Sequence, residues 1–550
     1  MLLVDIDDDN EPAPENLPGP SQVSDVAYQN WGHSGICNRR QAGATNIKAK
    51  INIFSRDVIP SYLQLFEVLF PVRFVKEVMI PEMNKKLQPE LKYGEFLKWL
   101  GLWFLMATTN VENRRDFWST KPIDNFDSTH IRLGEYMSRF RFENILKALT
   151  FTAVAPPAYL DRFWEVRQLI SKWNSNMDEN FSASWISCVD ESMSKWVNQF
   201  TCPGFIVCPR KPWPFGNEYH TISCGMTNIL YRVDLVEGKD ELRQVPKKYA
   251  EYGKTIGTVL RLAQPLFGSS KCIVADSAFC IVKCIVELRK KGVFMSALIK
   301  KRRYWPRGVD GDGIINHFIG KDVGSVDALP GVFDGTPFHI YCMKEPDYAM
   351  SIMSTYGTLE RVGKVHRRDF EDGGRKRQKT FSYPEVIFNH YQYRDSVDAN
   401  NRDRMYSIAL EEVWKTFRWP CRVFQFLLGV TEVNVRRAAM EIFEKGKMTQ
   451  QEFRRKLAKE LIFNEYDPEI VTTGHDLRPR INFHEFVSVP RFHKIDTKTG
   501  QQVPTKTEWL LRKCQVCQQR KKASYCACDP KVIICRDCHT IHVVNAFSSA

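Results

Sequence analysis

From about Phe54 to Phe151, apolar residues recur at three- and four-residue spacing. Tyr62, Phe66, Leu69 and Phe70 form one stripe, Phe96, Leu100, Phe104 and Leu105 a second, and Met137, Phe140, Phe142, Ile145, Leu146 and Leu149 a third. Such spacing puts the apolar side chains on one face of a 3.6-residue turn and predicts amphipathic helices. Another helix is expected from Arg162 to Met177, ending at the polar Asp178, Glu179 and Asn180. The period then shortens. Trp185 to Val189 reads as an apolar strand ending at Asp190. Phe205 to Val207, Thr221 to Met226 and Tyr231 to Val236 read as further strands, punctuated by Pro, Gly and Asn. Thr255 to Leu266 reads as a helix, Cys272 to Ala275 as a buried strand ending at Asp276, Phe279 to Lys290 as a helix, and Val293 to Ile299 as a strand. Strands followed by strand, helix and strand predict a mixed α/β sheet covered by helices.

The flanks are patterned differently. Residues 1 to about 50 open acidic, continue rich in Pro and Ser, and show no apolar period, which predicts a disordered tail. Residues 306 to 375 are Gly-rich, with a hairpin expected at Phe338 to Ser354. They read as an inserted module rather than a continuation of the sheet. Helical spacing returns from Asp395 to about Lys459, and a looser polar stretch covers residues 464 to 508.

Composition narrows the class. The 550 residues are 43% hydrophobic and 12% aromatic, enough for substantial cores. A net charge of +14 points to an acidic polymer as partner. The most apolar short stretch, Trp99 to Met106, is too short to span a bilayer, so no membrane partner is expected. Ten dispersed cysteines read as reduced thiols.

Six more cysteines crowd the C-terminal end as Cys514-x2-Cys517, Cys526-x-Cys528 and Cys535-x2-Cys538, followed by His539 and His542. Eight such ligands suit two tetrahedral Zn²⁺ sites in a segment too short for its own core. The expected pairing is interleaved, a cross-brace: Cys514, Cys517, Cys535 and Cys538 on one ion, and Cys526, Cys528, His539 and His542 on the other. Disulfides or scattered thiols are the alternative. The paired Cys-x2-Cys spacing and the lack of a signal-peptide pattern argue against them.

Three acids are candidate metal ligands: Asp190 and Asp276 at strand ends, and Asp398 near the start of a helical region. Carboxylates so placed can hold divalent ions that act on a phosphodiester. Spacing alone is weak, because a strand-terminal Asp is more often a turn residue.

Longer segments carry more. "MSRFRFENILKALTF", "DRFWEVRQLISKWNSNMDENFSASWISCVDESM", "CIVADSAFCIVKCIVELRKKG", "YRDSVDANNRDRM" and "RWPCRVFQFLLGV" occur in that order. Together with "LKYGEFLKWLGLWFLMATTNVENRRDFWS" and the Cys/His module, they resemble piggyBac-type transposases over roughly residues 54 to 542. The resemblance implies an RNase H-like catalytic core in which Asp190, Asp276 and Asp398 are catalytic and hold Mg²⁺ or Mn²⁺. It implies cut-and-paste transposition at TTAA sites through a 3′-hydroxyl nucleophile and a hairpin intermediate. Double-stranded DNA, a homodimer and the nucleus are the implied partners and place. The implied organisation is a tail (1–50), a helical dimerisation and DNA-binding domain (51–180 and 411–480), a catalytic core (181–300 and 381–410), an insertion domain (301–380), a linker (481–508) and a zinc module (509–550).

Two departures stand out. Asp395 and Ser396 occupy the places of two family glycines, and Asn401 that of a further Asp, three residues beyond Asp398. Asn keeps a carbonyl oxygen but adds no charge, and Asp403 and Asp395 are the nearby acids that could compensate. A domesticated DNA- or chromatin-binding descendant without catalysis is therefore the alternative function. A third reading, protein interaction through a RING-like module, leaves the aspartates unexplained.

Basic groups fit a DNA path. Lys300, Lys301, Arg302, Arg303, Tyr304 and Trp305 follow the last core strand, and Arg210 and Lys211 follow an early one. Arg and Lys can hold phosphates, and an aromatic can stack on an unpaired base. A solvated charged loop is the plainer reading of each. The run Arg375 to Lys379 is basic enough for a nuclear localisation signal.

Overall fold

In the computed structural model the strand-forming runs of the middle of the chain build one ten-stranded sheet. Its strands are β1 (Ile186–Lys195), β2 (Phe205–Val207), β3 (Phe215–Cys224), β4 (Leu230–Leu235), β5 (Cys272–Ala275), β6 (Phe294–Ile299), β7 (Val326–Phe333), β8 (Thr336–Lys344) and β9 (Ala349–Ser354), with the short strand Ala27–Tyr28 at one edge. The order is Ala27–Tyr28, β7, β8, β9, β6, β5, β1, β3, β2, and β4 also pairs with β3. β1, β5 and β6 run parallel, and β3 and β4 antiparallel to their neighbours. All four residues of β5 are buried, as expected for a strand inside the parallel part of a sheet. This mixed sheet with flanking helices is the α/β arrangement that the strand and helix pattern predicts.

The structure describes residues 27–28, 30–32, 46–55, 58–109, 111–119, 131–209, 211–238, 246–300, 309–372, 374–405, 408–466, 486–488, 493–495, 502–504, 511–522, 524–526 and 532–539. Among them, no helix is long and apolar enough to cross a membrane. The chain divides into two compact units, residues 1–462 and 463–550.

Within residues 1–50, expected to be a disordered tail, Ala27–Tyr28 pairs with β7 and Trp31 stacks on His317 at 3.7 Å, so that expectation fails there. Three further expectations need correction. First, Asp190 does not end its strand. β5 pairs only with Ile186–Val189 of β1, whereas β3 pairs along Ser187–Lys195, so the strand runs on past the end of its parallel neighbour. Second, residues 326–354 are not a module apart from the sheet. β7, β8 and β9 extend it, with Ser351–Ser354 of β9 paired to Ser296–Ile299 of β6. Phe338, Ile340, Tyr341, Cys342 and Met343 are all buried, and a strand apolar on both faces must be covered on both. What does stand outside that sheet is a two-stranded ribbon, β10 (Arg361–Asp372) and β11 (Arg375–Pro384). The basic run Arg375 to Lys379 is thus paired strand. Third, Phe140 is 76% exposed while Phe142, Ile145 and Leu149 of the same stripe are buried.

Helices from both ends of the first unit pack together. α1 (Tyr62–Leu69), α2 (Tyr93–Met106), α3 (Arg139–Ala148) and α4 (Trp164–Asn180) precede the core. Later come α5 (Lys254–Ala263), α6 (Val282–Lys290), α7 (Glu385–Tyr393), α8 (Ser396–Met405), α9 (Trp419–Glu441) and α10 (Gln450–Ile462). Trp103 of α2 stacks on Trp414 at 4.2 Å, and Trp173 of α4 donates to Thr431 Oγ1 of α9 at 3.0 Å. Gly101 lets α2 approach α10, since a Cβ there would lie 2.8 Å from Ile462 Cγ1 and 2.9 Å from the Ala458 carbonyl oxygen. α9 reaches the sheet through Phe426, stacked on Tyr219 at 3.9 Å, and Asn434, which bonds both backbone groups of Leu230.

Candidate active site and metal centre

Parallel pairing of β1 and β5 ends with Val189 opposite Ala275. The next residue on each strand is an aspartate, so Asp190 and Asp276 emerge side by side. Asp190 Oδ1 accepts from the Glu191 N–H at 2.8 Å, and Thr221 Oγ1 donates to the Asp190 carbonyl at 3.1 Å. Asp276 is exposed, and its carboxylate caps the turn Ser277–Phe279 by accepting from the Ser277 N–H at 2.6 Å.

α8 brings the third aspartate. Cys188 Sγ donates to the Arg394 carbonyl at 2.8 Å, tying β1 to the approach of the helix. Asn400 Nδ2 donates to the Asn228 carbonyl at 2.9 Å and to Asn434 Oδ1 at 3.2 Å. Buried Arg404 grips Glu411 at 2.6 Å and the Met193 carbonyl at 2.7 Å. These bonds hold the inner face of α8 on the sheet and leave Asp398 exposed in its first turn. One turn on, Asn401 Nδ2 donates to the Glu191 carbonyl at 3.2 Å, while its buried Oδ1 has no hydrogen-bond partner.

The electrostatics tie Asp190, Asp398, Glu191 and Lys211 together. Burial first, then Glu191 and Asp398, push the Asp190 carboxyl up to about 8. The Asp398 carboxyl is raised by desolvation at its packed side and by Asp395 and Glu191, against the pull of Lys211, although the residue still reaches solvent. Glu191 is held low despite its burial by Asp190, Lys211 and His220. Lys211 Nζ lies 3.4 Å from Glu191 Oε2, and the charges of Asp190, Glu191 and Asp398 raise its pKa in spite of burial. The lysine expected on a DNA path is therefore set among the carboxylates. Asp403 is engaged by Arg436 and Arg437, away from the acid that Asn401 replaces, whereas Asp395 lies 3.3 Å from Arg394 and its charge acts on Asp398.

The site suits a hard divalent cation. Its donors are carboxylate oxygens, their charges crowd one another, and the Asn401 oxygen is an acceptor without a donor. Among the described residues, the aspartate trio is not one of the sets whose ligand atoms all lie within 4.8 Å, so holding one ion requires side-chain rotation. Lys300 is exposed just past β6. Arg210 and Lys301, Arg302, Arg303, Tyr304 and Trp305 lie outside the described residues.

Two features escaped sequence reasoning. Glu191, Glu218 and His220 converge across β1 and β3. Burial and Glu191 push Glu218 up to about 7, and burial lowers His220. The ribbon of β10 and β11 carries eight Lys or Arg against three acids between residues 361 and 384, with Arg375, Lys376 and Arg377 exposed at its tip. Cross-strand register and charge count are the signals that could have found them.

In the second unit, β12 (Leu511–Lys513) and β13 (Arg520–Lys522) flank a tight knuckle. The Cys514 N–H donates to the Gln519 carbonyl at 3.0 Å, and the Gln518 N–H, from a residue at φ 58°, donates to the Cys514 carbonyl at 2.9 Å. The Sγ atoms of Cys514, Cys517, Cys535 and Cys538 lie within 4.8 Å of one another, as tetrahedral thiolate ligation of zinc requires. Burial raises the Cys514 thiol, but hydrogen bonds from the backbone at Cys517, Cys535 and Val516 outweigh it and hold it near 6. His539 begins beyond this set, and the side chain of Cys526 and all of Cys528 and His542 lie outside the described residues.

A family model described as Transposase IS4 matches residues 61–435. The chain belongs to that family. It is of the piggyBac type. It is 28% identical over 247 residues to the human PiggyBac transposable element-derived protein 2, covering 44% of this chain and 40% of that one. It is 29% identical over 185 residues to the human PiggyBac transposable element-derived protein 3, covering 33% of this chain and 29% of that one. The match thus spans well under half the length of either relative. The fold matches the cryo-EM structure of a piggyBac transposase synaptic complex with hairpin DNA at a TM-score of 0.57 and 16% identity, covering 88% of this chain and 96% of that one.

Proposed function

We propose that this chain is a cut-and-paste DNA transposase that breaks and rejoins phosphodiester bonds at TTAA sites. One observation carries the reading: Asp190 and Asp276 each follow the last paired residue of the parallel strands β1 and β5, Asp398 of α8 acts on Asp190, and the Asn401 oxygen one turn on lacks a donor. Asp190, Asp276, Asp398 and the Asn401 oxygen are the groups that would hold Mg²⁺ or Mn²⁺. Such ions supply polarisation of the scissile phosphate and acidification of the attacking hydroxyl. Lys211 balances the carboxylate charge, so that an incoming phosphate meets less repulsion. Water opens the element end, and the freed 3′-hydroxyl attacks the opposite strand, closing a hairpin and expelling the 3′-oxygen of the flanking DNA. A second water reopens the hairpin, and the regenerated 3′-hydroxyl attacks the target, expelling a target 3′-oxygen. The exposed arginines of the β10–β11 ribbon contact the DNA backbone. The protein works in the nucleus as a homodimer, and the Cys514, Cys517, Cys535 and Cys538 cluster holds Zn²⁺ and helps read element ends.

The second reading, a DNA-binding descendant without catalysis, is favoured by Asn401 in place of an acid. Nicking of a TTAA-flanked element end, assayed with purified full chain and Mg²⁺, separates the two. Strand cleavage that disappears in Asp276→Asn while DNA binding persists supports the transposase. Binding without cleavage in the unaltered chain supports the descendant.

A further inference from the structure

Glu191 on β1 stands across the ladder from His220 on β3, and Glu218, two residues before His220, shares its face of the sheet. Two carboxylate oxygens and one imidazole nitrogen lie within 4.8 Å of one another. Among the described residues, this is the one such set besides the cysteine cluster. The three side chains are 23%, 20% and 18% exposed, so an ion could enter and still be largely desolvated. Glu218 Oε1 faces the His220 Nε2 at 3.4 Å, and Lys211 flanks Glu191 on its other side at 3.4 Å. His220 also borders a crevice lined by Asp234, Lys247, Lys254 and Arg261, which opens a route from solvent.

The donor chemistry differs from that of the aspartates. Three aspartates offer hard oxygens, which suit Mg²⁺. Here an imidazole joins two carboxylates, a set that favours first-row transition ions. Three protein ligands also leave a position for water, the open coordination of a non-structural zinc site. We propose that Glu191, Glu218 and His220 form a divalent transition-metal site of the zinc or manganese class, bordering the aspartates but separate from them. Glu191 is the link, because its peptide neighbour is Asp190 and its backbone carbonyl accepts from Asn401. An ion bound here is positioned to set the charge beside the aspartate cluster. The site stands on its own ligands and does not depend on the transposase reading.

The test uses the full chain, zinc-loaded at the cysteine module and dialysed free of loosely held metal, with Zn²⁺ and Mn²⁺ as probes. Calorimetry should find an ion whose affinity falls tenfold or more in His220→Asn and in Glu218→Gln but little in Asp276→Asn. Pulsed paramagnetic resonance of bound Mn²⁺ should show coupling to an imidazole nitrogen that His220→Asn removes. Circular dichroism of each variant checks folding without metal. Should His220→Asn not fold, Glu218→Gln and the nitrogen coupling of the unaltered chain decide. Uptake abolished by Asp276→Asn but kept by the other two variants would assign the ion to the aspartates and overturn the proposal. Absence of Zn²⁺ and Mn²⁺ uptake at millimolar metal would overturn it too.

Discussion

Asn401, one turn on from Asp398, donates its amide to the Glu191 carbonyl at 3.2 Å, and its buried Oδ1 is left without a donor. Restoring an acid there has two opposed effects. Asn401→Asp loses the donor and adds charge near Glu191 and Asp398, where Asp190 is already pushed up to about 8. The metal-free protein should lose roughly 1–3 kcal/mol, the cost of a broken buried hydrogen bond with an unsatisfied group. Mg²⁺ should recover more stability in the variant than in the parent, because binding to the folded state alone stabilises it. Melting curves with and without Mg²⁺ check both. An equal Mg²⁺ shift in the two proteins would separate Asn401 from any metal.

The β10–β11 ribbon makes an electrostatic prediction. Eight Lys or Arg lie on a hairpin outside the main sheet, and a two-stranded ribbon has the width to enter a major groove. Replacing Arg375, Lys376 and Arg377 with Ala should weaken DNA binding with little effect on folding, since all three are exposed. The slope of log affinity against log salt should shrink by about one for each phosphate that the variant no longer neutralises. An unchanged slope would mark the ribbon as solvated surface.

Gly101 predicts how the helices before and after the sheet depend on each other. A Cβ there meets Ile462 Cγ1 at 2.8 Å and the Ala458 carbonyl oxygen at 2.9 Å, and the backbone atom cannot swing away. Gly101→Val should therefore cost about 1–3 kcal/mol or more from overpacking, despite improving helix propensity. Denaturant melts measure it. A neutral or stabilising effect would show that α2 and α10 can part at little cost.

What the sequence concealed has a common physical cause. Cys272 to Ala275 was legible because four consecutive apolar residues bounded by Asp276 fit only a buried strand. β1 was cut short because its second half, Glu191 to Lys195, pairs with β3 alone and mixes polar with apolar positions. The Phe338 to Ser354 hairpin was legible as β8 and β9, but its place in the sheet was not, because the glycine-rich flanks made it read as an insertion. Lys211, Glu218 and His220 could not be connected to Asp190 at all, since their proximity is set by strand register and leaves no local pattern. Asp398 was placed near a helix start by the sequence, but its role came only from resemblance, because the polar α8 has no apolar stripe to announce which face it turns to the sheet.

The cysteine module predicts metal-dependent folding. Among the described residues of the module, Cys514, Ile534, Cys535 and Cys538 form one buried cluster with Cys517 packed against them, and thiols make up most of it. Ordering some thirty residues costs about 1–2 kcal/mol each, which so small a core cannot offset. Zinc ligation supplies on the order of 10 kcal/mol per site. Cys535→Ser should therefore unfold the module, and residues 1–462 should keep their own melting transition because they form a separate compact unit. Metal analysis of the full chain, compared with Cys535→Ser and Cys526→Ser, reads the number of sites. Loss of one ion in each variant separately would support two sites, and loss only in Cys535→Ser would leave the Cys514, Cys517, Cys535 and Cys538 site alone. Full zinc content in Cys535→Ser would refute ligation by that cluster.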